Sequence, residues 1–149
     1  MAQAESFGFH LQLFFAYHEP GEGLPPLAEA ISHEHRRMAA RAAWTRYFEE
    51  VDVFLCPATF CPAFPHDQRP FQARTIATPE RDRPYADLAF WPAQASLPGL
   101  PAVAAPVGRT PGGLPVGAQV VGPLFENATA ITLAGLLGEV TGGYQPPPV

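Results

Sequence analysis

Between residues 97 and 122 the chain reads LPGLPAVAAPVGRTPGGLPVGAQVVG, and no other stretch limits the possible folds as tightly. Two short apolar runs, Ala102 to Val107 and Val116 to Val121, each follow a Gly-Leu-Pro. They read as β-strands, joined through RTPGG, a turn signal suited to a hairpin. Both runs are apolar on the two sides of the pleat instead of alternating. Strands of that kind belong in the middle of a sheet covered on both faces. Gly99, Gly113 and Gly117 supply positions where backbones approach closely or take positive φ.

The remaining segments supply too little to cover such a sheet. Residues 6 to 17 carry apolar side chains at 7, 9, 11, 13, 14, 15 and 17. Helix and strand templates both fit in part, and a short helix opened by Ser6 is the reading adopted. Residues 19 to 23, EPGEG, form a break. The segment ISHEHRRMAARAAWTRYFEEVD is the strongest helix, with Ser32 as N-cap, Glu34 in the first turn and an end near Glu50. Met38, Ala42, Thr45 and Phe48 share one face, with Trp44 and Tyr47 beside it. VDVFLC then reads as a strand stopped by Pro57. Residues 57 to 95 are Pro-rich and irregular, yet Phe60, Phe64, Phe71, Tyr85, Phe90 and Trp91 predict an ordered loop region packed on a scaffold. The last helix, ENATAITLAGLLGEVTGG, opens at Glu126 or Asn127, places Ile131, Ala134, Leu137 and Val140 inward, and closes at Gly142-Gly143. Three strands with so few helices predict an incomplete α/β domain.

Composition removes several function classes. The 149 residues are 47% hydrophobic and 15% charged with net charge −5, a globular profile without a nucleic-acid footprint. His35-Arg36-Arg37 with Arg41 and Arg46 follows helical spacing and reads as a solvated face. Apolar runs are too short to cross a bilayer, and residues 1 to 17 lack a basic start and a cleavage site, so neither a membrane span nor a signal peptide is expected. Cys56 and Cys61 could accept a disulfide or half a metal site, but no second pair sits at ligand spacing. Two half-buried thiols in a reducing cytoplasm is the reading adopted. No metal and no cofactor are expected.

The inventory of reactive groups is sparse. All nine basic residues are arginines, no lysine occurs, and the serines are Ser6, Ser32 and Ser96. Ser96, His66 and Asp67 supply the letters of a triad, but ASLPG is not a nucleophile elbow, and adjacent His66 and Asp67 side chains diverge. Ser96 reads instead as a turn residue and His66-Asp67 as a loop-ordering pair. His33 and His35, two residues apart on a helix, point different ways and make a poor metal site.

GLPAVAAPVG, GLPVGAQVVGP and the Phe125-Glu126 helix resemble the C-terminal region of the amidase signature family. The helix carrying His35, Arg41 and Trp44, the strand VDVFLCPAT, and the segments FPHD, RPYADLAFW and GGYQPPP fit the same resemblance, the last three pointing to one bacterial branch. It runs from about residue 24 to residue 149, so that 1–149 is a single C-terminal amidase-type segment in which 24–149 carries the resemblance and 1–23 is an N-terminal helix and break.

The resemblance implies a mixed β-sheet flanked by helices and hydrolysis of carboxamides by a Ser-Ser-Lys triad. In the family the nucleophilic serine, a bridging serine in a cis peptide, the activating lysine and a glycine-rich oxyanion segment lie in the N-terminal half. None of these occurs here. No catalytic residue is therefore assigned, and the chain is expected to be inactive alone, because serine without a positioned base is a poor nucleophile. By the same resemblance, Thr59, Phe60 and Trp91 are candidates for the wall of the substrate pocket. The expected partner is an N-terminal catalytic half or a second copy of the chain, with a small amide as substrate only in the complete enzyme. The alternative is a non-catalytic module that self-associates or binds another chain through exposed sheet edges.

Overall fold

The computed structural model describes residues 26–146. Helix α1, Leu27–Tyr47, starts directly after Pro26, whose extended ψ of 143° occupies the cap position. The helix therefore begins more than a turn upstream of Ser32, which the sequence had suggested as the cap. Proline is tolerated at a helix start, and the Leu-Ala-Glu-Ala that follows is strongly helix-forming. Ser32 Oγ lies instead in the helix body and accepts from Arg36 Nη2 at 3.1 Å. Glu29 in the first turn and Arg46 in the last complement the helix dipole. The expected helix within residues 6–17 lies outside the described residues.

The inward face of α1 is not the one that apolar spacing suggested. Met38, Ala42 and Thr45 are exposed, whereas Trp44 is buried and Phe48 packs against it. A single indole offers more apolar area than several small side chains, so it decides which face turns inward. Arg41 goes in beside it, donating from Nε to the Pro98 carbonyl at 2.8 Å. Arginine stems are apolar, and counting them as outward residues misplaces the face.

Strand β1, Phe54–Pro57, is followed by an irregular region containing the two-residue strands β2, Thr75–Ile76, and β3, Arg83–Pro84, which pair with each other. Tyr85 ties this region together, with Phe64 and Phe71 edge-on at 6.0 and 5.5 Å and the Arg74 guanidinium 5.4 Å from its ring centroid. Helix α2, Phe90–Ser96, was absent from the sequence reading. Seven residues show too little periodicity to be recognised, and Pro92 in the first turn reads as a breaker although its missing N–H is harmless there.

Strands β4, Ala102–Arg109, and β5, Pro115–Val121, form the expected hairpin, and helix α3, Asn127–Thr141, follows. The sheet order is β1-β5-β4, antiparallel throughout. Among the described residues only β5 has the predicted central position; β4 is an edge there, with residues exposed along much of its length. On one face Val121 meets Trp44, Ala95 and Leu100, with Phe48, Phe54 and Leu124 packed around them. Alternation sends Ala118 and Val120 to the other face, where α3 crosses β4 and β5. Full burial of Val120 and Val121 contributes roughly 1.5–3 kcal/mol each.

Helix α3 is rotated from its expected orientation. Ala130 is buried, while Ile131 and Val140 are 59% and 87% exposed. The cause is close approach: a Cβ on Gly122 would come within 3.3 Å of Ala130 Cβ. Small residues at that contact draw the helix onto the sheet and push the larger ones to its flank.

Of the three glycines singled out, Gly99 and Gly113 adopt φ of +77° and +84°. A Cβ at Gly117 would meet only ordinary 3.5 Å contacts. At Gly99 a Cβ would stand 2.9 Å from Arg41 Nη2, the guanidinium that holds Pro98. Gly99→Ala is expected to destabilise the fold by roughly 2 kcal/mol, from the left-handed backbone and the displaced arginine together. Urea unfolding measures it.

Candidate functional site

The residues suggested for a substrate pocket lie around the end of β1 and the start of α2. Pro57 pairs with Ala118 as the last residue of β1, and Ala58 N–H donates to the Gly117 carbonyl at 3.1 Å. The chain then leaves the sheet through Thr59, Phe60 and Cys61. Thr59 is exposed. Phe60 is half-buried beneath the Arg83 guanidinium, 4.6 Å from the ring centroid, and Arg83 Nε donates to Asp87 Oδ2 at 2.9 Å. Asp87 belongs to the 3₁₀ turn Tyr85–Ala89 that runs straight into α2. The post-β1 loop is thereby tied to the base of α2.

Trp91, in the first turn of α2, is half-buried and stands edge-on to Phe90 at 5.0 Å. Its carbonyl accepts from Gln119 Nε2 at 3.2 Å, and the same nitrogen approaches Cys56 Sγ at 3.6 Å. The ring of Phe60 is contacted by Arg83 and that of Trp91 by Phe90, with no ring contact between the two. Two of its members escaped the sequence reading. Gln119 left a signal, a lone amide in an otherwise apolar strand, whereas Arg83 over Phe60 left none because the two are far apart in sequence.

Several of the candidate reactive groups are held in structural contacts. Ser96 Oγ donates to the Pro92 carbonyl at 2.9 Å as the last residue of α2, not as a turn residue. Asp67 pairs with Arg69 rather than His66: it accepts from Arg69 N and Nε at 3.0 Å and from Nη2 at 2.6 Å. His33 Nε2 lies 3.5 Å from Glu29 Oε1 on its own helix. Cys56 and Cys61 are free thiols. Burial pushes both thiols up, countered in part by the Gln119 amide at Cys56 and the Thr59 hydroxyl at Cys61. Such thiols stay protonated at neutral pH and are weak nucleophiles. Among the described residues no three His, Cys, Asp or Glu side chains converge on a metal position, and no helix is long and apolar enough to cross a membrane. Among the described residues the arrangement pairs no nucleophile with a base.

Comparison with known proteins shows what the chain is similar to. The family profile described as Amidase matches residues 27–131. A glutamyl-tRNA(Gln) amidotransferase subunit of Mesorhizobium japonicum is 32% identical over 96 residues, covering 64% of this chain and 17% of that protein. A crystal structure of an amidase is similar with a TM-score of 0.58 and 28% identity, over 71% of this chain and 23% of the other. The fold also matches, at TM-score 0.63 and 22% identity, a chain from a vestigial protein complex bearing on the origins of an s-triazine catabolic enzyme, over 84% of this chain and 26% of that one. The chain thus spans about a fifth of the length of the curated relatives it matches.

Arg69 holds the Asp67 carboxyl down to about 2, first through its side-chain hydrogen bonds and then through its backbone N–H. A carboxylate whose folded value is depressed adds stability above its ordinary value near 4, and that contribution disappears as pH falls toward 2. The loop around Asp67 is therefore expected to stay ordered at pH 4 and loosen near pH 2. An NMR titration of the Asp67 carboxyl carbon should give a midpoint near the lower figure, and Asp67→Asn should remove the transition.

Proposed function

The chain belongs to the amidase family, and from that premise we propose that its residues form the packing, C-terminal portion of an amidase-signature hydrolase. The complete enzyme converts a carboxamide to a carboxylate and ammonia or an amine. Its serine pair and lysine come from sequence outside these 149 residues, and this chain alone does not turn over amides. The observation that carries the reading is the pairing of a built core with an empty reactive inventory. Val120 and Val121 are fully buried, yet the sequence has no lysine and only three serines. Two of those, Ser32 and Ser96, have their hydroxyls hydrogen-bonded within their own helices.

Within that enzyme, Thr59, Phe60 and Trp91 wall the substrate pocket and set which amide fits. Support comes from their placement at the exit of β1 and the start of α2, where Arg83 and Gln119 hold both segments. The chain works with a partner, the nucleophile-bearing part of the fold, in the cytoplasm and without a cofactor. That the amidotransferase relative is one component of a larger enzyme supports a multi-part assembly. So do the edges of the sheet: β1 and β4 each pair on one side only among the described residues. Leu55 on β1 is 51% exposed. Edges and apolar faces of this kind invite another chain. The same surface favours a second reading, self-association of a non-catalytic module.

Co-expression with the N-terminal half of a family member distinguishes the two. The first reading predicts a stable complex that hydrolyses simple carboxamides, with neither part active alone. Failure of every such pairing, with a homodimer in sedimentation, would support the second. Amide hydrolysis by the isolated chain would contradict both.

A further inference from the structure

Gln119 sits half-buried in β5, on the sheet face that also carries the fully buried Val121. A carboxamide in such surroundings is unfavourable unless its N–H groups find acceptors. It finds them on two other elements, the Trp91 carbonyl of α2 at 3.2 Å and the Cys56 sulfur of β1 at 3.6 Å. The register sets Gln119 opposite Cys56 on one side and Ala104 on the other, so one side chain bridges the middle of the sheet to the helix above it. That helix has little to fix it on its own. It is seven residues long, contains Pro92 and lacks a side-chain cap. A helix so short is marginal without tertiary contacts, and its one buried residue is Ala95.

We propose that Gln119 is a positioning residue whose carboxamide latches α2 to the sheet and so fixes where Trp91 stands on the pocket wall. This rests on the reading of Trp91 given above. The atom that is held is the backbone carbonyl of Trp91 itself, so the root of the indole side chain is set directly by the central strand. Loss of the latch lets the wall drift without touching the groups that carry out hydrolysis. In the complete enzyme it therefore acts on substrate fit, and KM changes while kcat does not.

Hydrogen–deuterium exchange on the 149-residue chain tests the latch without requiring activity. Gln119→Met keeps length and volume but removes both donors, and Cys56→Ala removes the thiol while leaving the bond to Trp91. Loss of one neutral hydrogen bond changes a local opening constant by about five- to tenfold. Gln119→Met is expected to speed exchange through Phe90–Leu97 by that factor and leave α3 unchanged; Cys56→Ala should alter neither. If Gln119→Met does not fold, Gln119→Asn serves, since it stays polar but is a methylene too short for Trp91. Exchange in α2 equal to the unsubstituted chain overturns the proposal, as does an equal rise in α2 and α3. In the chain joined to a nucleophile-bearing half, the same variant is expected to raise KM about tenfold and change kcat by less than about twofold. An assembly of unsubstituted halves that hydrolyses no amide would remove the proposed function, while the exchange result still decides the latch.

Discussion

Strand β5 is paired on both sides, with Gln119 in register with Cys56 of β1 and with Ala104 of β4, and the other elements take their places from it. Its alternate residues serve opposite faces. Val121 receives Trp44 from α1 and Ala95 from α2, while Ala118 and Val120 face α3. A strand that supplies both cores at once tolerates little slippage, because a shift of one residue exchanges the two sets of side chains. The register also decides that Gln119 lands beneath α2, so packing and the geometry of the candidate pocket have one cause.

Much of this was legible in the sequence, for identifiable reasons. The hairpin was readable because RTPGG and the valine-rich runs are local signals, and the last helix because its apolar residues repeat. What could not be read was which face each helix turns inward. Trp44 and Arg41 outweigh Met38 and Ala42 through the area and contacts they reach across the fold, and Ala130 displaces Ile131 because Gly122 lies opposite. These are long-range facts without local periodicity. Helix α2 was missed because a seven-residue element holding a proline looks like a break. Its stability derives from Gln119 and the core, both distant in sequence. The contact of Phe60 with Arg83 was invisible for the same reason, so the candidate wall could be named but not assembled.

The lack of the family's lysine base was legible at once, since composition alone carries it. No arrangement of a lysine-free chain supplies a lysine base, and the hydroxyls of Ser32 and Ser96 are hydrogen-bonded within their own helices. A portion of a fold can keep its own layers packed while the groups that react stand on other strands, because burial and catalysis make different demands on residues. Apolar side chains are exposed on β1 and on the outer faces of α1 and α3, as the proposed division would require.

A fluorophosphonate probe, which attaches covalently to activated serines, examines the division of labour most directly. Applied to the isolated chain and to the chain joined to a nucleophile-bearing half, it should mark only the joined form. The modified residue should be a serine other than Ser6, Ser32 and Ser96. Modification of Ser96 in the isolated chain, accompanied by turnover of an amide, would contradict the account.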